Sequence, residues 1–348
     1  MPDSLGFSVY LSTFDAQWPT LRRWAGTGAP VFLSLHISEE FDPDYCRRAE
    51  SVCRKLADHG FRIVADVSTK TCAQFGEPDL IRLAIRLGVW ALRIDYGFSR
   101  EEIGAMAEKM PIVLNASTTS ESDARMICAG GKQVFALHNF YPRPETGLDE
   151  EMLLDVTRNL QNAGLKVQAF IPGDIQKRGP IFEGLPTLEA HRNALPSAAF
   201  ADLALRFGMD DIFLADPGLS DTEQQRIETF CKEGIISVPA QLMPEYETLY
   251  GQVFTCRVDS PKWLIRFTES RTYSCIGTPV TACNCVCRDR GAITIDNETY
   301  GRYTGEIQMI RSPLAADSRV NVIGSVPENA RLLMDCIRGG QKFMLVRP

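Results

Sequence analysis

The sequence has little of what would tie a protein to a membrane or to nucleic acid. No run approaches the roughly 18 apolar residues that a span requires, and Met1–Leu5 carries neither a basic region nor an apolar core of signal-peptide length. A formal net charge of −7 offers no attraction to a polyanion, so neither nucleic acid nor membrane is expected as a partner. There is no low-complexity tract, no block of like charge and no short-period repeat beyond an alternation of strand and helix patterns. What is present is 348 residues, 45% hydrophobic and 23% charged, which is long enough for two cores. Eleven cysteines, an odd number, fall mainly inside helical or strand patterns, as at Cys53, Cys128 and Cys231, where a thiol acts as a small apolar group. That usage suits a reducing compartment, and a cytoplasmic location is expected.

Eight short apolar runs end in polar residues: Phe7–Tyr10, Val31–Leu35, Ile63–Val67, Ala91–Ile94, Ile112–Leu114, Val134–Leu137, Val167–Ile171 and Ile212–Ala215. Parallel strands buried on both faces look like this. Helical patterns lie between them. Ala49, Val52, Cys53, Leu56 and Ala57 share a helix face that stops at Gly60, and Leu80, Ile81, Leu83, Ala84 and Leu87 stop at Gly88. Ser99 with Glu102, and Ser220 with Glu223, have capping-box spacing. Eight alternations within residues 1–235 predict a (β/α)8 TIM-like barrel, with a doubly wound open sheet as the competing arrangement.

From about residue 236 to 348 the texture changes to short strand candidates at Gln252–Val258, Trp263–Phe267, Ala292–Ile295, Glu306–Ile310 and Val320–Ile323. A small all-β domain follows from that pattern. Cys283, Cys285 and Cys287 invite a zinc reading. On a strand, however, residues two apart share a face and make a row, not a tetrahedral cage, so a metal-free, reduced cluster is expected.

Polar groups gather where the barrel strands would emerge into loops. His36, Glu39 and Glu40 follow the second strand; Asp66, Asp95 and Asn115 end the third, fourth and fifth; His138 and Asn139 follow the sixth, Asp174 the seventh and Asp216 the eighth. That rim is the chemical face of such a barrel. Crowded carboxylates repel, which lets one act as an acid while another stays ionised, the division of labour that glycosidic cleavage needs. Pro172–Leu188 then forms a seventeen-residue loop carrying Lys177, Arg178 and Glu183 among glycines and prolines. Arg178 beside Gly179 suits a phosphate oxygen cluster, as does Arg143 on the preceding loop; the competing role for both is to neutralise nearby acids.

At these residues the chain resembles the 6-phospho-N-acetylmuramidase family. The likeness runs through Leu35-His36 with Glu39-Glu40, Asp66-Val67-Ser68, Leu92 to Gly97, Asn115 to Thr118, His138 to Arg143, Pro172-Gly173-Asp174 and Arg178 to Arg192, and continues through Arg257, Asp259, Arg266, Ile293 to Asn297 and Gly305-Glu306. The resemblance implies a TIM-like barrel followed by a cyclophilin-like domain. It implies hydrolysis of N-acetylmuramic acid 6-phosphate–N-acetylglucosamine to its two sugars during peptidoglycan recycling, with no cofactor. Ser38, where the family usually has Pro, and Thr69 to Cys72 depart from the family's pattern.

By analogy with other barrel glycosidases, Asp95 and Asp174 are expected to be the catalytic pair, with Glu183 able to replace either. His36, Glu39, Asp66, Asn115, His138, Asn139, Arg143, Arg178 and Asp216 are expected to hold the sugar and its phosphate. A homo-oligomer is left open. Two alternatives stand beside this reading. One is a non-catalytic phosphosugar-binding protein. The other is a metal-dependent hydrolase using His36, Asp66, His138 and Asp216, disfavoured because the chain lacks a closely spaced H-x-H pair.

Overall fold

The computed structural model describes residues 2–35, 43–130, 133–270 and 277–348. Eight parallel strands follow one another around a closed barrel: β1 (Leu5–Val9), β2 (Pro30–Ser34), β3 (Arg62–Val67), β4 (Val89–Ile94), β5 (Ile112–Asn115), β6 (Val134–Leu137), β7 (Lys166–Ile171) and β8 (Asp211–Leu214). Pairing of Leu5, Gly6 and Phe7 with Ile212, Phe213 and Leu214 closes the ring, which excludes the open doubly wound sheet. Every apolar run read from the sequence is a strand, with its ends moved by a residue or two.

The helices begin and end where the sequence places their signals. Tyr45–Asp58 buries Ala49, Val52, Cys53 and Leu56, and Leu80–Leu87 stops at Gly88, whose φ of +70° a side chain would resist. Ser99 and Glu102 make both bonds of a capping box, and the Ser220 hydroxyl accepts from the Glu223 amide. No helix among the described residues is long and apolar enough to cross a membrane.

Alternation along the strands fills the barrel. Phe32, Val64, Ala91, Val113, Phe135, Leu137, Phe170, Phe213 and Ala215 form one apolar cluster, with the Phe170 ring between those of Phe32, Phe140 and Phe213. Gly6 makes room for it. A Cβ there would sit 2.7 Å from the Phe213 ring. Because side chains alternate, residues of the same parity as this cluster, further along each strand, point toward the barrel's C-terminal mouth.

The chain divides into two compact units, Met1–Arg192 with Leu203–Glu223, and Asn193–Asp202 with Gln224–Pro348. The division runs through the helices Pro196–Leu205 and Asp221–Glu233. The second unit holds β9 (Ile235–Pro239), β10 (Gln241–Leu242), β11 (Val253–Thr255), β12 (Leu264–Arg266), β13 (Ala292–Asp296), β14 (Ile307–Ile310), β15 (Val320–Ser325) and β16 (Lys342–Val346). Five of them form an antiparallel sheet in the order β10-β15-β13-β14-β12, and β11-β16-β9 form a smaller sheet in which β16 runs parallel to β9. The sequence candidates correspond to β11 to β15; β9, β10 and β16 complete the sheets beyond them. Phe254, Phe267 and Phe343 join the core with centroids 4.7 to 5.9 Å apart.

The cysteine cluster is not on a strand. Asn284 has a φ of +46° and breaks the extended run, so the expected row of thiols does not form. The Cys285 thiol donates to the Ser318 carbonyl at 3.3 Å, the Asn321 amide donates to the Cys283 sulfur at 3.3 Å, and Cys287 is exposed.

Candidate active site

A cleft of about 710 Å³ opens at the C-terminal mouth of the barrel. Its polar end is one rung of the sheet: Ser34, Asp66 and Arg93 are register partners on β2, β3 and β4, and all three line the cleft. Arg93 organises that end. One guanidinium nitrogen donates to Asp66 at 2.6 Å and to Asp95 at 3.3 Å, and the other donates to Asn139 at 2.7 Å. Sharing one nitrogen brings the two bonded carboxylate oxygens to within about 6 Å of each other, so both acids face the same end of the cleft. Asp66 is buried, whereas Asp95 is partly open to the cleft. The Arg93 Nε is buried with no acceptor among the described residues.

The other walls are apolar. Phe32, Phe170, Phe140 and Leu185 form them, and Tyr141, Pro142 and Pro180 extend them toward the rim. An apolar surface beside convergent polar groups is the usual form of a sugar-sized binding site. Arg178 enters from the long loop after β7. Its guanidinium lies over the Tyr10 ring at 4.3 Å, and Tyr10 is fixed by a 2.6 Å bond from its hydroxyl to the Ala215 carbonyl. Burial pushes the Tyr10 phenol well above its ordinary range, so it stays protonated and donating.

Two ion-bonded clasps shape this rim. Asp216 is fully buried and accepts from the backbone amides of Gly173 at 2.9 Å, Arg178 at 2.8 Å and Leu185 at 3.2 Å. Burial raises its pKa, and the three amides oppose that rise. Arg192, also buried, donates to the carbonyls of Tyr141, Arg143 and Gly184 and to both oxygens of Glu189. Glu189 in turn accepts from the amides of Glu145 and Gly147, and the Arg192 bonds bring its pKa down to about 2. The loops after β6 and β7 are thereby fastened to one another.

Of the residues expected to act, Asp66, Asp95, Asn139 and Arg178 meet in the cleft. Others are placed elsewhere. Asp174 is exposed and accepts from the Ser220 amide at 2.8 Å, away from the cleft lining, and Glu183 is exposed on the loop. His138 points out of the barrel: its Nε2 meets the Thr157 hydroxyl at 3.0 Å in the helix Glu150–Asn162, and burial brings its pKa down to about 4. The Asn115 side chain accepts from the Ser117 amide in a local turn, and Arg143 is exposed, contributing its carbonyl to Arg192. Asp216 holds backbone and does not line the cleft. His36, Glu39 and Glu40 lie outside the described residues. The set proposed for a metal therefore does not converge: His138 and Asp216 are committed to Thr157 and to three amides. Among the described residues, no group of three or more candidate ligands gathers.

Sequence reading missed Arg93, Ser34 and the aromatic walls. A charged residue between Leu92 and Ile94 in an apolar strand was the available signal for Arg93, because such a side chain needs a buried counter-charge.

Set beside known families, residues 5–229 match the 6-phospho-N-acetylmuramidase N-terminal model and residues 236–346 match the C-terminal one. The chain belongs to this family. Among solved structures it is similar to a conserved protein of unknown function from a locus in Enterococcus faecalis, 30% identical, with a TM-score of 0.86 over 99% of this chain and 96% of that one. An uncharacterised B. cereus protein, 22% identical, shares the fold with a TM-score of 0.79 over 99% of this chain and 100% of that one. No curated protein matches the chain. The family is named for a glycosidase, and the paired carboxylates at the barrel mouth are the groups such an enzyme needs.

Proposed function

We propose that the protein hydrolyses N-acetylmuramic acid 6-phosphate–N-acetylglucosamine, releasing the two sugars in the cytoplasmic recovery of cell-wall material. The observation that carries the reading is the placement of Asp66 and Asp95 on one nitrogen of Arg93 inside the aromatic-walled cleft. Asp95, the more open carboxylate, gives a proton to the bridging oxygen as the bond from the muramic acid C1 breaks. Asp66 faces the positive charge that develops on the ring. Water adds to C1 and returns a proton to Asp95, so the catalyst is restored without a cofactor. Arg178 provides positive charge for the phosphate, and the Asn139 amide provides a donor for the sugar.

The test is to offer the phosphorylated disaccharide beside its unphosphorylated form and measure released N-acetylglucosamine. Efficient cleavage of the first and poor cleavage of the second are expected. Equal rates on both would remove phosphate from the reading, and turnover of neither would remove the activity.

A further inference from the structure

Beside the main cleft, and sharing Arg178 and Gly179 with it, lies a second hollow of about 270 Å³. Its lining includes Ser12, Thr13, Gln176, Lys177 and Arg178. The two cavities differ in charge. The cleft sets Asp66 and Asp95 against Arg93 and Arg178, whereas the hollow has two cations, the hydroxyls of Tyr10, Ser12 and Thr13 and a carboxamide, with no carboxylate among its lining residues; Tyr10 donates to the Ala215 carbonyl and the Thr13 hydroxyl lies 3.4 Å from Gln17 Oε1. The buried Asp216 has its oxygens engaged by three backbone amides, and Lys177 acts on it through its field.

The hollow is also preformed. Arg178 is held over the Tyr10 ring at 4.3 Å, which places its guanidinium at the boundary of the two cavities. The Thr13 amide donates to the Tyr10 carbonyl at 3.1 Å, fixing the turn that carries the Ser12 and Thr13 hydroxyls. A phosphate monoester, close to doubly charged at neutral pH, is repelled by the carboxylate end of the cleft and attracted by the two cations of the hollow.

We propose that this hollow is the phosphate subsite, with Lys177, Ser12 and Thr13 joining Arg178 around the monoester while the sugar rings occupy the main cleft. The assignment rests on the proposed phosphosugar reading and adds residues to it.

The experiment compares the wild type with Lys177→Met and Ser12→Ala. In each, kcat/KM is measured on the phosphorylated and unphosphorylated disaccharides, and binding of inorganic phosphate is measured by calorimetry. Loss of one charged contact is expected to lower the preference for the phosphorylated substrate by roughly ten- to a hundredfold in Lys177→Met. A smaller fall is expected in Ser12→Ala, and inorganic phosphate binding should weaken in both. Unchanged preference and unchanged phosphate binding in folded Lys177→Met would overturn the subsite. If the wild type cleaves neither disaccharide, the activity falls but the calorimetry still decides the subsite: phosphate binding that depends on Lys177 supports it, and binding that ignores Lys177, or none, overturns it.

Discussion

Asp66 and Arg93 are neighbours twice over, as register partners on adjacent strands and as a 2.6 Å ion pair with both side chains almost out of water. The strand ladder fixes where each Cα stands, and the ion pair then fixes where each charge points. Removing one partner leaves the other buried and uncompensated, at a cost of about 3–5 kcal/mol. Arg93→Met is therefore expected to lower chemical unfolding stability by that order. The double variant Asp66→Asn/Arg93→Met should recover part of the loss, and a double variant whose loss equals the sum of the two single losses would mean that the pair is not coupled.

Asp95→Asn keeps the shape of the side chain but cannot give or take the proton. A fall in kcat of about 10²–10⁴-fold with an unchanged circular dichroism spectrum is expected. Near-normal turnover would move the proton transfer to a different group.

Asp174→Asn is expected to behave otherwise, because this carboxylate faces the Ser220 amide and not the cleft. Its kcat should stay within a few-fold of the wild type, with a loss of stability of about 1 kcal/mol from the weakened bond. A hundredfold fall in kcat would return Asp174 to the catalytic set.

The contrast between these aspartates explains how much the sequence could reveal. Strands were legible because two-sided burial leaves short apolar runs, and the rim was legible because polar residues end those runs. Which of the rim residues face inward depends on parity. On β6, Phe135 and Leu137 point into the barrel, so Asn139 continues that face and His138 falls on the other, a distinction the alternation already contains. The same rule puts Arg93 and Asp95 beyond Ala91, and Asp66 beyond Val64. It fails for Asp174, which stands three residues past the end of β7, where the pleat no longer sets direction. It also cannot see the bonds of Asp216 to amides that are distant in sequence.

Asp216→Ala would strip the acceptor from three buried or half-buried amides, each costing about 1–3 kcal/mol if left unpaired. Arg178 and Leu185 both reach the cleft from this loop, so kcat/KM should fall at least about a hundredfold. Limited proteolysis should cut faster between residues 174 and 184. Normal cutting with normal activity would show that the clasp is dispensable.

His138 should give stability a pH dependence of definite sign. In the folded chain its pKa is brought down to about 4 by burial, against about 6.5 when unfolded, so the unfolded state binds the proton first as pH falls. The stabilising contribution is complete above about pH 6.5 and is lost progressively toward pH 4. Asp296, pushed up to about 7 by burial, works in the opposite direction over much of the same range, so the informative quantity is a difference. Between pH 7.5 and 4.5 the wild type is expected to lose about 2–3 kcal/mol more than His138→Gln, read from urea midpoints. Parallel curves for the two proteins would contradict a neutral, desolvated imidazole.

Asp216 fastens its loop through backbone amides alone, at Gly173, Arg178 and Leu185. An amide looks the same whatever side chain follows it. The residues between the anchors can therefore be exchanged without undoing the frame, and Gln176, Lys177 and Phe182 line the hollow from inside that span. Separating what holds the loop from what is proposed to touch the ligand makes this rim a place where substrate preference can drift while the Asp66–Arg93–Asp95 cluster stays unchanged.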